Sequence, residues 1–256
     1  MLKALSNLSE ISLLIKKKKV IVLVDYDGTL TPIVSKPELA LLNEKRRGIL
    51  RKLSQKYPLA VISGRSLAEV KKLVRLKDIF YAGNHGLEIE GSGHKFIYGP
   101  ALKFKSRFSK LENDLKYSLG KIPGIIVENK GFTLALHYRL VNPARLKEVR
   151  KVLDETIKNY YGIKVSYGKK VFDIKPVFSW NKGKAAEWII RSLSCRRAMP
   201  IYLGDDQTDE DAFLALRKKG ITILVAEKEK SSSAEYRLKD VFEVYKFLNW
   251  LKKYDD

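Results

Sequence analysis

The sequence predicts an α/β protein: a doubly wound, Rossmann-like parallel-sheet core interrupted by an inserted α+β block of order αββαββ. Three observations carry this expectation. Short aliphatic runs alternate with amphipathic helical stretches towards both ends of the chain, as buried parallel strands and their crossover helices do. Three of those runs stop at a polar residue, Asp25, Ser63 and Asp205, and the carboxyl ends of strands are where open sheets build their sites. Over 101–175 the rhythm changes to helices separated by pairs of strands.

The first strong strand is Val20–Val24, aliphatic throughout and so suited to a sheet centre, and it runs directly into Asp25. A Pro-containing loop precedes a helical pattern over 43–55, and a second apolar run, Leu59–Ile62, ends in Ser63-Gly64-Arg65. A helix over 67–74, a strand over 79–82 and a glycine-rich hairpin over 83–99 complete the first series. The inserted block takes 101–175, leaving 1–100 and 176–256 to the core. It opens with a helix and strands over 125–128 and 132–138. Its second helix carries Asn142 as N-cap, Pro143 in the first turn and Gly162 past the end, and strands over 164–167 and 171–174 follow. The core resumes at Asn181 with a helix to about residue 194. A strand over 201–203 then ends in Gly204-Asp205-Asp206, and a helix closed by Gly220, a strand over 221–225 and a C-terminal helix finish the chain.

With 45% hydrophobic and 31% charged residues, the 256-residue chain is a folded protein and not a disordered one. Its first apolar stretch, 11–15, is short and followed by lysines, the reverse of a secretory signal, and no run reaches membrane length. The single Cys195 excludes an internal disulfide. The expectation is a cytoplasmic monomer with no membrane partner. The net charge of +21 raises nucleic acid as a partner, and residues 101–175 are the most basic part, with 17 basic and 7 acidic side chains. No zinc-finger, homeodomain-like or RNA-recognition pattern accompanies that charge, so no nucleic acid is expected. A lysine-rich surface, or attraction of an anionic substrate, accounts for it equally well.

The segment Asp25-Tyr26-Asp27-Gly28-Thr29 sets two carboxylates two residues apart where a buried strand opens into a loop. Asp25 can attack phosphorus, and Asp27 can protonate the leaving oxygen and then activate water. Gly28 gives the turn its freedom, and the Thr29 hydroxyl is expected to brace it. Two acids beside a phosphate need compensating positive charge. Asp205, Asp206, Asp209 and Asp211 are hard oxygen donors suited to Mg²⁺, while Lys182 at a helix start and Ser63 can hold phosphoryl oxygens. Taken singly, each fragment reads as a turn, a solvated lysine or a helix start that favours acids. All four in this order are hard to produce by chance.

Together they resemble the signature of the haloacid-dehalogenase superfamily. The resemblance implies Asp25 as nucleophile and Mg²⁺ ligand, Asp27 as general acid/base and a ligand through its carbonyl, and Ser63 and Lys182 as phosphoryl binders. It makes Asp205 the third metal ligand and leaves Asp206 and Asp209 to hold metal-bound water or to support the ligands from behind. Residues 204–210, Gly-Asp-Asp-Gln-Thr-Asp-Glu, are similar to the trehalose-6-phosphate phosphatase family in particular. So are 83–88, Gly-Asn-His-Gly-Leu-Glu; Glu128 and Lys130 followed by His137-Tyr138-Arg139; and Gly168-Lys169. That likeness implies trehalose 6-phosphate as the small phosphorylated sugar substrate and the inserted block as a mobile cap. It puts Gly64, Arg65, Asn84, His85, Glu128, Lys130, His137, Arg139, Lys169 and Asp173 among the substrate-binding residues. Asp173 and Lys175 stand where the family has Glu and Arg, which retracts an acceptor and removes a planar fork, so another phosphosugar is the alternative. The rival from a different class is a basic nucleic-acid-binding protein on an inactive phosphatase fold.

Overall fold

The most apolar runs of the chain become its most buried strands. The computed structural model describes residues 1–34, 37–168, 170–193 and 198–254. In chain order the strands are β1 (Leu2–Lys3), β2 (Val20–Val24), β3 (Leu59–Ile62), β4 (Phe80–Gly83), β5 (Glu88–Gly91), β6 (His94–Ile97), β7 (Ile126–Asn129), β8 (Leu134–His137), β9 (Ile163–Gly168), β10 (Val171–Pro176), β11 (Met199–Gly204), β12 (Ile221–Val225) and β13 (Tyr236–Leu238). The helices are α1 (Leu8–Ile15), α2 (Glu44–Lys56), α3 (Leu67–Val74), α4 (Gly99–Leu102), α5 (Lys105–Leu119), α6 (Leu146–Ile157), α7 (Lys182–Ser192), α8 (Glu210–Leu216) and α9 (Val241–Lys253). The chain divides into two compact units, Met1–Phe96 with Trp180–Asp256, and Ile97–Ser179.

The first unit is built on a nine-stranded sheet of order β1-β13-β12-β11-β2-β3-β4-β5-β6. β2 pairs in parallel with β11 on one side and β3 on the other, and only towards the β4–β5 edge does the pairing turn antiparallel. Strand order therefore reverses between β2 and β11, which opens a crevice beyond their carboxyl ends. Both faces of the sheet are covered. Val22, Val24, Val61, Ile201 and Ile223 pack in one cluster with side chains of α2 and α9, while Ile21, Leu23, Ala60, Ile62 and Leu224 pack in another with those of α7 and α8. Burial on both faces is why these strands read as unbroken apolar runs. Each large aliphatic side chain so buried contributes about 1.5–3 kcal/mol.

The ends of the chain hold what the sequence did not announce. β1 pairs with β13, Leu2 opposite Tyr236, although 234 positions separate them. β11 is longer than expected because β2 pairs with it from Met199 onward. The expected end of α7 near residue 194 lies outside the described residues. Two aromatic rings mark where the chain leaves and re-enters this unit: Phe96 stacks on Trp180 at 4.8 Å, and Trp180 Nε1 donates to the carbonyl of Gly86 at 2.7 Å.

In the second unit β7-β8-β10-β9 form an antiparallel sheet. Leu134, Leu136, Phe172 and Ile174 pack on Phe108, Leu111 and Leu115 of α5 and Val149 and Leu153 of α6. Asn142 accepts from Ala144 N at 3.0 Å and so caps a 3-10 turn, Pro143–Arg145, that leads into α6. Among the described residues no helix is long and apolar enough to cross a membrane.

Candidate active site

β2 and β11 end side by side at the reversal of strand order, and the backbone N–H of Asp25 donates to the carbonyl of Leu203 at 2.9 Å. This brings Asp25 and Asp205 to the same crevice. The turn after Asp25 is closed by Leu30 and Thr31 N–H groups, both bonded to the Tyr26 carbonyl. Gly28 has φ +93°, and a Cβ there would fall 2.1 Å from Asp205 Oδ2. Glycine is needed both for the backbone and for the acid lodged against it. Thr29, expected to brace this turn, is a correction: its buried hydroxyl makes no hydrogen bond among the described residues, and Thr31 Oγ1 bonds the Tyr26 carbonyl instead.

Lys182 enters from the first turn of α7, whose N-cap Asn181 accepts from Lys184 N at 3.0 Å. α7 approaches α8 closely because residue 183 has no side chain: a Cβ on Gly183 would stand 2.3 Å from the Asp211 carbonyl. Lys182 Nζ donates to Asp25 Oδ1 at 2.7 Å and Asp209 Oδ1 at 2.8 Å, and all three side chains are buried. Asp209 is saturated. Its Oδ1 also accepts from the Tyr202 hydroxyl at 2.7 Å, and its Oδ2 accepts from the backbone N–H of Asp205 and Asp206 at 3.1 and 3.0 Å. A carboxylate offers about four lone-pair sites, and four donors occupy them here. Asp25 Oδ2, by contrast, makes no hydrogen bond among the described residues.

Burial raises the Asp25 pKa well above the usual carboxylate value; Lys182 draws it back down, and Asp209 and Asp205 push it further up. For Lys182 burial acts downward, but Asp209 and Asp25 outweigh it and hold the ammonium charged. Burial, then Asp209, raises the Tyr202 phenol far above its ordinary value, so it remains a neutral donor. Asp25, Asp205 and Asp209 each place a carboxylate oxygen within 4.8 Å of the others. Three buried carboxylates against one ammonium leave negative charge uncompensated, and the donors are all hard oxygens, so the cluster fits a hard divalent cation. Asp206 stands apart: it is exposed, and its Oδ1 caps the 3-10 turn Gln207–Asp209 by accepting from Gln207 N at 2.6 Å.

Asp27 is held by Arg65. Arg65 Nε and Nη2 donate to its two oxygens at 2.7 and 2.8 Å, and Nη1 donates to Glu69. Ser63 is buried at the end of β3 and its Oγ accepts from Arg65 N at 3.1 Å. The Asn84 and His85 N–H groups donate to the carbonyls of Arg65 and Ser63 at 2.7 and 2.9 Å, and both residues adopt positive φ, 51° and 58°. Gly64 leaves room for the His85 ring, whose Cε1 would stand 2.7 Å from a Cβ at 64. Asn84 is fully buried with its amide donating to Glu88 Oε2 at 2.9 Å.

In the second unit, sheet register puts Glu128 and Asp173 on either side of Ala135, on the face opposite α5 and α6. His137 shares that face and its Nε2 donates to Glu128 Oε2 at 2.7 Å. Lys130 begins the turn between β7 and β8, and Arg139 is exposed just beyond β8. Lys169 lies outside the described residues.

Comparison with known proteins identifies the family. The family model described as Trehalose-phosphatase matches residues 23–241. The chain belongs to the trehalose-phosphatase family. It is 38% identical over 262 residues to probable trehalose-phosphate phosphatase 4 of Oryza sativa subsp. japonica, covering 98% of this chain and 71% of the relative. It is 36% identical to trehalose-phosphate phosphatase B of Arabidopsis thaliana, covering 97% and 70%. Among solved structures, the C-terminal domain of C. albicans trehalose-6-phosphate phosphatase superposes with a TM-score of 0.81 at 26% identity, covering 97% of each chain.

Three residues of this trehalose-phosphatase site escaped sequence reasoning. Tyr202 stands in an aliphatic strand and reads as core, although a buried phenol needs a partner. Glu69 follows Arg65 by four residues at the start of α3, a spacing at which opposite charges meet, and that signal was readable. Lys230 Nζ donates to the Asp205 carbonyl at 2.9 Å from 25 residues away, and nothing local marks it.

Proposed function

We propose that this chain is a Mg²⁺-dependent phosphatase that hydrolyses trehalose 6-phosphate to trehalose and inorganic phosphate through a covalent phosphate ester of Asp25. The observation that carries the reading is Lys182 bridging Asp25 and Asp209 beside Asp205 at the strand-order reversal. Only one oxygen of Asp25 is engaged, so Oδ2 is the attacking atom. As the Asp25 oxygen bonds to phosphorus, the phosphorus–sugar oxygen bond breaks, and Asp27 gives a proton to the departing oxygen. Water then attacks phosphorus while Asp27 accepts its proton, the bond to Asp25 breaks and the carboxylate is restored. Lys182 and Ser63 hold the phosphoryl oxygens. Asp25 and Asp205, with the Asp27 carbonyl, would hold Mg²⁺, which supplies positive charge to those oxygens. Asp209, with both oxygens taken, anchors Lys182 and the 205–209 turn.

The second unit acts as a cap that excludes water and selects the sugar, with Glu128, Lys130, His137, Arg139, Lys169 and Asp173 as its hydroxyl and phosphate contacts. The test is release of inorganic phosphate from a panel of phosphosugars by wild type and Asp25→Asn, with Mg²⁺ and with EDTA. Preference for trehalose 6-phosphate, lost with EDTA or the substitution, supports the reading. Preference for another phosphosugar keeps the chemistry and reassigns the contacts around Asp173 and Lys175. No metal-dependent release from any ester sinks it.

A further inference from the structure

We propose that Arg65 is a positioning residue for Asp27, and that it orients this carboxylate and does not bind the substrate's phosphoryl group. The inference rests on the phosphatase reading above. Each nitrogen of Arg65 and its carbonyl has a partner. Nε and Nη2 form a fork on the two oxygens of Asp27 at 2.7 and 2.8 Å, Nη1 meets Glu69, the backbone N–H goes to Ser63 Oγ and the carbonyl accepts from Asn84 N. The guanidinium carbon lies 5.5 Å from the centroid of the Tyr26 ring, which closes a further side. The Arg65 side chain is 7% exposed and that of Asp27 36%, so the clamp is buried and the clamped group is the one that solvent reaches.

Two charge-assisted bonds from one planar fork fix the plane of a carboxylate, and with it the directions of the lone pairs left for proton transfer. Turning this fork onto a phosphoryl group instead would break both bonds and leave Asp27 uncompensated two residues from Asp25. Asp25 and Asp27 are thus held by different cations, Lys182 and Arg65. Lysine cannot form the fork, so Arg65→Lys keeps the charge and removes the orientation.

The experiment is a double-mutant cycle on the full chain with Mg²⁺ and trehalose 6-phosphate: wild type, Arg65→Lys, Asp27→Asn and the double variant, with Glu69→Gln as a milder release of the clamp. Loss of oriented proton transfer lowers kcat by roughly 10²-fold. Arg65→Lys is expected to show that loss with KM changed less than about threefold, and to add little in the Asp27→Asn background. Glu69→Gln is expected to move kcat the same way by a smaller factor, and it carries the test if Arg65→Lys loses its cooperative thermal transition. A tenfold rise in KM at constant kcat, or additive losses in the cycle, assigns Arg65 to substrate and overturns the proposal. So does a Glu69→Gln enzyme identical to wild type. The clamp is also read without turnover, from the Arg65 Nε–H resonance, which Asp27→Asn should shift. A clamp seen in a wild type that releases no phosphate overturns the phosphatase reading alone.

Discussion

Lys182, Asp25 and Asp209 are kept out of water, whereas Glu128 and His137 stay within its reach. The first three side chains are 3%, 6% and 0% exposed; the second pair are 29% and 19% exposed. In the first unit each charge depends on its partners, since a buried ion without a counter-ion is costly, and the geometry is accordingly fixed. In the second unit water screens the pair, and either partner can be exchanged at little cost to the fold. Substitution is therefore expensive around Lys182 and cheap around His137.

The contrast can be broken most severely at its centre. Lys182→Ala leaves three carboxylates buried together and is expected to destabilise the metal-free protein by roughly 3–5 kcal/mol in urea unfolding. A loss below 1 kcal/mol would mean that water already reaches the site. Asp25→Asn sharpens it by pH. Because the folded pKa of Asp25 is raised, its contribution to stability is fully present below the ordinary value of 3.8 and is lost as pH rises through the folded value. In EDTA the Asn variant should therefore gain in melting temperature over wild type as pH rises from 4 towards neutrality; a gap that narrows over that range contradicts the assignment. Tyr202→Phe removes one of four donors from Asp209, and a loss of about 1–2 kcal/mol is expected from equilibrium unfolding. At the mild end, Glu128→Gln should alter stability by less than about 1 kcal/mol, and any kinetic effect should fall on KM before kcat.

The placing of Asp25, Ser63 and Asp205 at strand ends was legible because an aliphatic run buried on both faces has an abrupt end. What the sequence could not decide was which acids of the 205–211 cluster converge. That depends on the 3-10 turn Gln207–Asp209, which carries Asp209 inward beneath Lys182 and leaves Asp206 outside as a cap. Arg65 was legible as a participant, but its partner lies 38 residues away on another strand's loop, and only packing reveals that the guanidinium is already taken. β13 stayed hidden because three residues with Arg237 in the middle carry too little pattern, and its neighbour β1 comes from the opposite end of the chain.

The stacked rings of Phe96 and Trp180, 4.8 Å between centroids, bring the residues at the exit and the return of the chain into contact on one body. Residues 97–179 are therefore, in topological terms, an excursion from a single point. A scaffold of this kind accepts exchange of the whole excursion, because the splice spans a ring contact and not the width of a domain. Such an exchange would leave the nine-stranded sheet unaltered.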